Sequence, residues 1–285
     1  PVEVTDEVIY VLEKAIEVSE ISVVDGVAQY DVTIAPLWEE WKFIEYQQTE
    51  DLAPLPTEER LGELRSLVDY KKIIIDKEAS TVFLEEEGMG LDLGSIVKGY
   101  AADKIREYLL SKELTRGLIN VGGNLITMGH NHKFADNKDV PWEVQITTPY
   151  RTREGSEDNK YYIGYFEDTD VTTVTSGVYE RYYIVDGIKY HHILNPATGY
   201  PRESGLWSLS IITENSMVAD AYSTAVFSLG LDAGLKLVEA TEGMDAIAIT
   251  DSKEIYVTSG LEDRFVYNEN INDIGYSYKG VYKWN

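Results

Sequence analysis

The spacing of apolar and polar residues predicts a chain in which helices and strands are mixed. Apolar residues at helical spacing predict helices over residues 7–18, 57–69, 216–229 and 232–241. Apolar runs and alternations bounded by turn residues predict strands at 72–76, 80–85, 117–128 (around a glycine turn), 142–147, 171–175, 179–186, 188–194, 206–213, 245–250, 253–258 and 264–267. No repeat, linker or low-complexity tract divides the chain, so one α+β domain over residues 1–285 is the simplest prediction.

Several boundaries follow from residues that begin or end an element. The stretch of residues 28–38 reads as strand-like and is expected to end at Pro36. Ser95 is placed to cap a helix that follows it, and Ser216 to cap the helix over 216–229, which Gly230 ends. The charged stretch 151–160 is expected to be a solvated loop.

Composition excludes several classes of function. The formal net charge is −25, which argues against binding to nucleic-acid phosphates. An anionic substrate would be repelled at long range, so a phosphate site in this chain needs a local cation. The chain has no cysteine, which excludes disulfides and thiolate metal sites. No apolar run approaches the roughly 20 residues that span a bilayer.

Three oxygen-bearing side chains share one face of the helix over 216–229. Asp220, Ser223 and Thr224 stand at positions i, i+3 and i+4. A carboxylate with two hydroxyls suits Mg²⁺, which takes few protein ligands and leaves room for phosphate oxygens. The alternative is structural: an acidic first turn favoured by the helix dipole, with hydroxyls bonded back to the backbone.

A glycine turn that runs into a helix lies in LDLGSIVKGYAADK, residues 91–104. A helix N-terminus with Lys98 in its first turn can bind an anion. The glycine spacing matches neither a Walker loop nor a dinucleotide-binding motif. A lysine on a helix is commonly a solvated charge, so both interpretations stay open.

Two histidines precede a rigid Asn-Pro and Gly-Tyr-Pro turn in KYHHILNPATGYP, residues 189–201. His191 and His192 are adjacent and point to opposite faces of a strand, so only one can face a given site. Histidine is the usual general base near neutral pH, but a structural histidine bonded to a backbone carbonyl is an equal alternative. His130 and His132 are expected at the surface, in a turn without a third ligand.

Two further segments admit either a ligand or a structural role. VGGN, residues 121–124, allows the close approach of a ligand or a tight hairpin. QYDVTIAPLW, residues 29–38, places Tyr30 beside Asp31, where an aromatic ring could hold a flavin or adenine or could pack in the core.

Taken in order, these segments resemble the FAD:protein FMN transferase family, also called the ApbE family. The matching segments are QYDVTIAPLW, LDLGSIVKGYAADKI, GLINVGGNL, PWEVQITTP, TSGVYERYY, HHILNPATGYP and ADAYSTAVFSLG. The resemblance implies a single ApbE-type, T-fold-like α+β domain with mixed or antiparallel sheets and flanking helices. It also implies FAD as substrate, bound in a cleft with Mg²⁺ at its pyrophosphate.

The resemblance assigns roles to residues of this chain. Asp220 and Thr224 correspond to metal ligands, with Ser223 beside them and Ser95 offering its backbone carbonyl. The residues expected to contact FAD are Gln29, Tyr30, Asp31, Asp92, Lys98 and Ile193. His192 corresponds to the base. Ser176 and Gly177, in TSGVYERYY, either line the site or belong to the scaffold.

The implied reaction cleaves FAD and attaches FMN to a threonine of an acceptor flavoprotein, with release of AMP. A rival with the same site is an FAD pyrophosphatase, in which water replaces threonine. Rivals of other classes are a flavin-binding protein without catalysis and an acidic surface module that binds no flavin.

Two departures from the family pattern add expectations. The family has a Met-Gly-Thr segment upstream that helps to form the nucleotide pocket; since the chain begins at Pro1 without it, we expect a truncated or processed form. Asn195 replaces an aspartate of the His-His motif, with a mild expected effect. Relatives are exported and often lipid-anchored, so we expect the outer face of the bacterial cytoplasmic membrane or the periplasm, with membrane contact only through a removed anchor.

Overall fold

The computed structural model describes residues 1–149 and 162–284 of the chain. These residues form two compact units: unit 1 comprises residues 1–97 and 180–204, and unit 2 comprises residues 98–179 and 205–285. The predicted loop at 151–160 lies outside the described residues. The α+β class is confirmed, with mixed and antiparallel sheets and flanking helices. The single domain over 1–285 stays a prediction.

The helices follow the predicted order. They are α1 (Asp6–Ile21), α2 (Ala35–Trp41), α3 (Glu58–Arg65), α4 (Val97–Ser111), α5 (Ser216–Leu229) and α6 (Leu231–Glu239). The strands are β1 (Val2–Glu3), β2 (Val23–Val24), β3 (Val27–Ala28), β4 (Ile73–Asp76), β5 (Thr81–Leu84), β6 (Gly117–Val121), β7 (Asn124–Met128), β8 (Asn131–Lys133), β9 (Lys138–Val140), β10 (Trp142–Thr147), β11 (Tyr162–Asp168), β12 (Thr172–Gly177), β13 (Tyr182–Val185), β14 (Ile188–His191), β15 (Leu206–Thr213), β16 (Asp245–Thr250), β17 (Glu254–Val257), β18 (Val266–Tyr267) and β19 (Ser277–Val281).

Unit 2 is built on a seven-stranded sheet in the order β19-β17-β16-β15-β12-β7-β6. Its neighbours pair antiparallel except β17 and β19, which are parallel. The inner strand β15 (LWSLSIIT) is almost wholly buried between β12 and β16, and its buried residues include the small polar side chains Ser208 and Ser210. Helix α5 packs on β12 and β15, so its first turns are held by the sheet.

Unit 1 holds short sheets and an aromatic core. Its sheets are β1-β5-β4, β2-β3 and the hairpin β13-β14. Trp41 and Phe43 stack with ring centroids 5.8 Å apart, and Tyr183 packs against both rings. The Trp41 indole N–H donates to the carbonyl of Gly199 at 2.7 Å, which ties this core to the turn after His192.

Three predicted boundaries were wrong. Pro36 ends no strand: it lies in the first turn of α2, where its missing N–H costs no helical bond. Ser95 does not cap α4, which begins at Val97, because the Ser95 hydroxyl bonds to Tyr30 instead. The cap of α5 is Asn215, whose side-chain oxygen accepts from the N–H of Val218 at 2.8 Å.

Other elements were not predicted from the sequence. They are β1, the β2-β3 and β8-β9 hairpins, α2, β11 and β19. Most are too short for a clear period, whereas β11 is stabilised by its long-range partners β10 and β18. Over residues 1–149 and 162–284, no helix has the length and apolar content that crossing a membrane requires.

Candidate functional site

The predicted site residues fall into both units of the chain. Unit 1 contains Gln29, Tyr30, Asp31, Asp92, Ser95, His192 and Ile193. Unit 2 contains Lys98, Asp220, Ser223 and Thr224. Each group is described within its own unit.

Asp220 is a buried carboxylate in the second turn of α5, with 2% of its surface exposed. The Lys98 ammonium lies 3.3 Å from its Oδ1, and the backbone N–H of Gly99 donates to its Oδ2 at 2.9 Å. Burial raises the pKa of the Asp220 carboxyl, and the Lys98 charge and the Gly99 bond oppose that rise. The structure therefore brings together two predicted site residues that lie more than 120 positions apart in sequence.

Gly99 is what allows α4 to approach α5 so closely. A Cβ placed on Gly99 would overlap the carbonyl oxygen of Ser216, the first residue of α5. Because α4 can therefore lie against the start of α5, the Gly99 N–H reaches the Asp220 carboxylate. Gly99 was not predicted as a site residue, although its place directly after Lys98 was a signal.

Hydroxyl groups form a second cluster on α5 and β12. The Ser176 Oγ lies 2.8 Å from the Ser223 Oγ and 3.4 Å from the Thr224 Oγ1. Ser223 also donates to the carbonyl oxygen of Asp220 at 2.8 Å, which is the backbone bond of the structural alternative. Ser176 thus lies against two of the predicted metal ligands. This position favours the alternative that Ser176 lines the site over the alternative that it belongs only to the scaffold.

This donor set fits Mg²⁺ in its chemistry. The described residues contain no group of three or more His, Cys, Asp or Glu side chains that could hold a metal ion, so a metal site in this part of the chain has at most two such side chains. Mg²⁺ is commonly bound through one or two carboxylates together with substrate phosphates and water. Asp220 with neighbouring hydroxyls supplies hard oxygens of this kind, and the buried Asn124 side chain interacts with the Asp220 carboxyl in the same unit.

In unit 1, the turn before α4 packs on Tyr30. The Ser95 hydroxyl donates to the phenol oxygen of Tyr30 at 3.1 Å. Asp92 donates its backbone N–H to the carbonyl of Val32 at 2.7 Å, and its Oδ1 accepts from the N–H of Gly94 at 2.8 Å. Three predicted site residues, Tyr30, Asp92 and Ser95, are therefore held on one framework.

Gln29, Tyr30 and Asp31 are buried but do not lie in a strand as predicted, since β3 ends at Ala28. The two Asp31 oxygens accept from the N–H and hydroxyl of Thr33, at 2.8 and 2.6 Å, and from the N–H of Tyr70 at 2.9 Å. Burial raises the pKa of the Asp31 carboxyl, and these bonds oppose the rise. Asp31 therefore stabilises the loop that holds Tyr30.

His192 follows β14 and lies partly exposed, as the alternation with His191 predicted. Its Nδ1 lies 3.1 Å from the carbonyl oxygen of Arg181. Because a carbonyl can only accept, Nδ1 carries the proton, and the lone pair of the neutral ring is on Nε2. This tautomer is the one that a general base at Nε2 requires.

A tight turn fixes the residues after His192. Asn195 accepts at its Oδ1 from the N–H of Ala197 at 2.9 Å, and its N–H donates to the carbonyl of Tyr200 at 2.8 Å. Arg202 donates its N–H to the carbonyl of Ile193 at 2.8 Å. Asn195 forms the side-chain turn expected for it, and Ile193 is buried under this turn.

The family model and the curated relatives that this chain matches all belong to one family. Residues 1–248 match the model of the ApbE family. The chain is 36% identical to a FAD:protein FMN transferase from Klebsiella pneumoniae, over 70% of this chain and 58% of that protein. It is 34% identical to a FAD:protein FMN transferase from Treponema pallidum, over 75% of this chain and 60% of that protein. It therefore spans about three fifths of the length of these curated relatives.

The fold agrees with that of solved structures. The flavin transferase ApbE from Vibrio cholerae superposes with a TM-score of 0.75 at 25% identity, covering 92% of this chain and 78% of that one. The match to the family model covers well over half of the chain, and the Klebsiella relative exceeds 30% identity over more than two thirds of it. The chain belongs to the ApbE family.

Proposed function

We propose that this protein is an Mg²⁺-dependent FAD:protein FMN transferase that attaches FMN to a threonine of an acceptor flavoprotein and releases AMP. The observation that carries the proposal is the buried Asp220 carboxylate with Lys98 at 3.3 Å, a local cation and an oxygen ligand in a chain of net charge −25. The names of the Klebsiella and Treponema relatives supply the substrate and the class of acceptor.

Different residues are proposed to bind the metal ion and to stabilise the charge of the phosphates. Asp220 and the hydroxyls of Ser223 and Thr224 would hold Mg²⁺, which when bound would neutralise charge on the phosphate oxygens. Lys98, 41% exposed at its side chain, can turn from Asp220 to an anionic oxygen of the substrate. Its charge would stabilise the negative charge that builds up as the pyrophosphate breaks.

His192 is proposed to take the proton of the acceptor hydroxyl on Nε2, the nitrogen that its bond to Arg181 leaves with the lone pair. The threonine oxygen then forms a bond to the FMN-side phosphorus, the bond to the bridging oxygen breaks, and AMP departs with that oxygen. Tyr30, Gln29, Asp31, Asp92 and Ile193 are proposed to bind FAD.

The test is incubation with FAD, Mg²⁺ and the apo form of a flavoprotein that carries its FMN on a threonine, followed by intact-mass spectrometry and AMP quantification. We expect FMN mass on the acceptor with an equal amount of AMP, and neither product when that threonine is replaced by alanine. His192→Ala should lower the rate at least about 10²-fold. Free FMN and AMP with an unmodified acceptor would show hydrolysis instead, and FAD bound without turnover would show a carrier.

We also propose that the protein is exported and acts at the outer face of the bacterial cytoplasmic membrane or in the periplasm. This proposal rests on the resemblance to the family. Fractionation of the native host, followed by detection of the protein with a specific antibody, tests it: a protein confined to the cytosolic fraction would contradict export.

A further inference from the structure

Asn124 carries a fully buried side-chain amide. It is the first residue of β7, none of its surface is exposed, and among the described residues neither its Nδ2 nor its Oδ1 meets hydrogen-bond geometry. Most buried side-chain polar groups in proteins are hydrogen-bonded, because an unpaired one loses its water without compensation. A buried amide in this state calls for a ligand or a water molecule that completes its bonds.

The surroundings of Asn124 identify that partner. A Cβ placed on Gly122, in the turn before β7, would lie 3.4 Å from the Cδ of Lys98. The carbonyl of Leu125 accepts from the Thr172 hydroxyl at 3.1 Å, and this hydroxyl also lies 3.1 Å from the Oγ of Ser216, where α5 begins. The start of β7 is therefore held against both elements that carry the Lys98–Asp220 pair.

The Asn124 side chain lies beside the Asp220 carboxyl. Hydrogen bonding to the Asn124 side chain is among the influences that lower the pKa of that carboxyl, although burial raises it more and the Asn124 amide does not meet full hydrogen-bond geometry. The amide therefore faces the carboxylate without a well-formed hydrogen bond to it. A small adjustment of Asp220 on ligand binding would complete the bond.

We infer that Asn124 is a positioning residue of the Asp220 site: its Nδ2 donates to the Asp220 carboxylate, and its Oδ1 accepts from a water molecule of the bound cation. This inference rests on the proposed function. An amide suits this place because it offers one donor and one acceptor without charge. It would orient the carboxylate while Lys98 is engaged with the phosphates, as groups that bond to metal ligands commonly do.

The same strand offers a matched control. Thr127 is 1% exposed, and its hydroxyl is bonded to both the carbonyl and the N–H of Val171 at 3.2 Å. Its polar group is thus satisfied without a ligand. Asn124→Leu and Thr127→Val each replace a buried polar side chain of β7 by an apolar one of similar size.

The experiment measures the melting temperature of the parent and of both variants, first without ligands and then across a Mg²⁺ titration at fixed FAD. Without ligands, Asn124→Leu should melt at or above the parent temperature, because removing an unpaired amide costs no bond, whereas Thr127→Val should melt lower. The Mg²⁺ concentration at the midpoint of the stabilisation should rise about 10–100-fold in Asn124→Leu and stay unchanged in Thr127→Val.

An unchanged Mg²⁺ midpoint in Asn124→Leu, with a parent that responds to Mg²⁺, overturns this inference and leaves the proposed function intact. A parent that shows no response to Mg²⁺ and FAD overturns the proposed function and this inference with it. If Asn124→Leu does not fold, Asn124→Asp takes its place. Its added carboxylate should enlarge the Mg²⁺-dependent rise in melting temperature beyond that of the parent, and an equal rise overturns the inference.

Discussion

Two buried aspartates of unit 2, Asp103 on α4 and Asp220 on α5, have the same chemistry and different surroundings. Burial raises the pKa of both carboxyls. Asp103 accepts from the N–H groups of Ser216 and Met217 at 3.0 and 2.9 Å and from the Arg106 guanidinium at 2.9 Å. It satisfies the first N–H groups of α5 and pairs with a cation that is itself mostly covered.

Asp220 has weaker and more exchangeable partners. Its cation, Lys98, lies at 3.3 Å and is 41% exposed at its side chain, its carboxylate accepts from the backbone N–H of Gly99 at 2.9 Å, and the Asn124 amide beside it does not meet hydrogen-bond geometry within the described residues. The different partners of Asp103 and Asp220 show that burial alone does not identify a functional carboxylate. A carboxylate whose partners are all fixed stabilises the fold, whereas one whose cation can move is ready to bind a ligand.

The two adjacent histidines of unit 1, His191 and His192, differ in burial and in the bonds of their ring nitrogens. In His191, the Nε2 donates to the carbonyl of Arg202 at 3.2 Å and the Nδ1 accepts from the N–H of Ile193 at 3.3 Å, so both ring nitrogens serve the turn. Burial lowers its pKa to about 4. The ring of His192 is partly exposed, and its Nδ1 is bonded to a backbone carbonyl, that of Arg181, which sets its tautomer. His191 therefore has the structural role at both nitrogens, and the role of His192 as a base stays a proposal.

The largest expected effect is on activity, in Asp220→Asn. We expect the proposed FMN transfer to slow about 10²–10³-fold, because the group proposed to hold the cation loses its charge. The free energy of unfolding without ligands should change by less than about 1 kcal/mol, since the Lys98 partner is well exposed. The AMP release rate and urea denaturation measure the two effects. Retained activity in Asp220→Asn would remove the distinction between the two aspartates.

Asp103→Ala should produce the opposite pattern. We expect a loss of about 3–4 kcal/mol in the free energy of unfolding, because Arg106 and two N–H groups of α5 lose their buried partner. Urea denaturation measures this loss. The Mg²⁺ midpoint of the folded variant should match that of the parent, and a large shift in it would show that Asp103 belongs to the ligand site.

The smallest expected effect concerns His191 and depends on pH. Its pKa of about 4 in the folded protein lies below the ordinary histidine value of 6.5, so the unfolded chain binds more protons between these values. The free energy of unfolding therefore falls as pH drops through this window, by roughly 2 kcal/mol from pH 7 to pH 5. His191→Gln keeps a donor for the Arg202 carbonyl and should lose this share of the pH dependence in denaturation curves. An identical slope in parent and variant would contradict the buried neutral ring.

Much of the fold was predictable because its signals are local. The strands β10, β15 and β16 and the helix α5 agree with the predicted bounds, since each has a long apolar pattern of one period. The family was predictable because its motifs recur in order along the chain. Ser95 was misjudged as a cap and Pro36 as a strand end, because a residue type alone cannot say which partner its side chain has found.

The sequence by itself determined the α+β class, the family, and the residues from which a site could be drawn: Asp220, Lys98 and a histidine of the pair at 191–192. Only the tertiary structure showed which of the two buried aspartates bonds to the first N–H groups of α5, which histidine uses both ring nitrogens in the turn, and that the buried Asn124 amide lies beside Asp220. The reason is physical. Helix and strand periods come from neighbouring residues, whereas the bonds of Asp220 to Gly99 and of Asp103 to Ser216 span 121 and 113 positions, which only folding brings together.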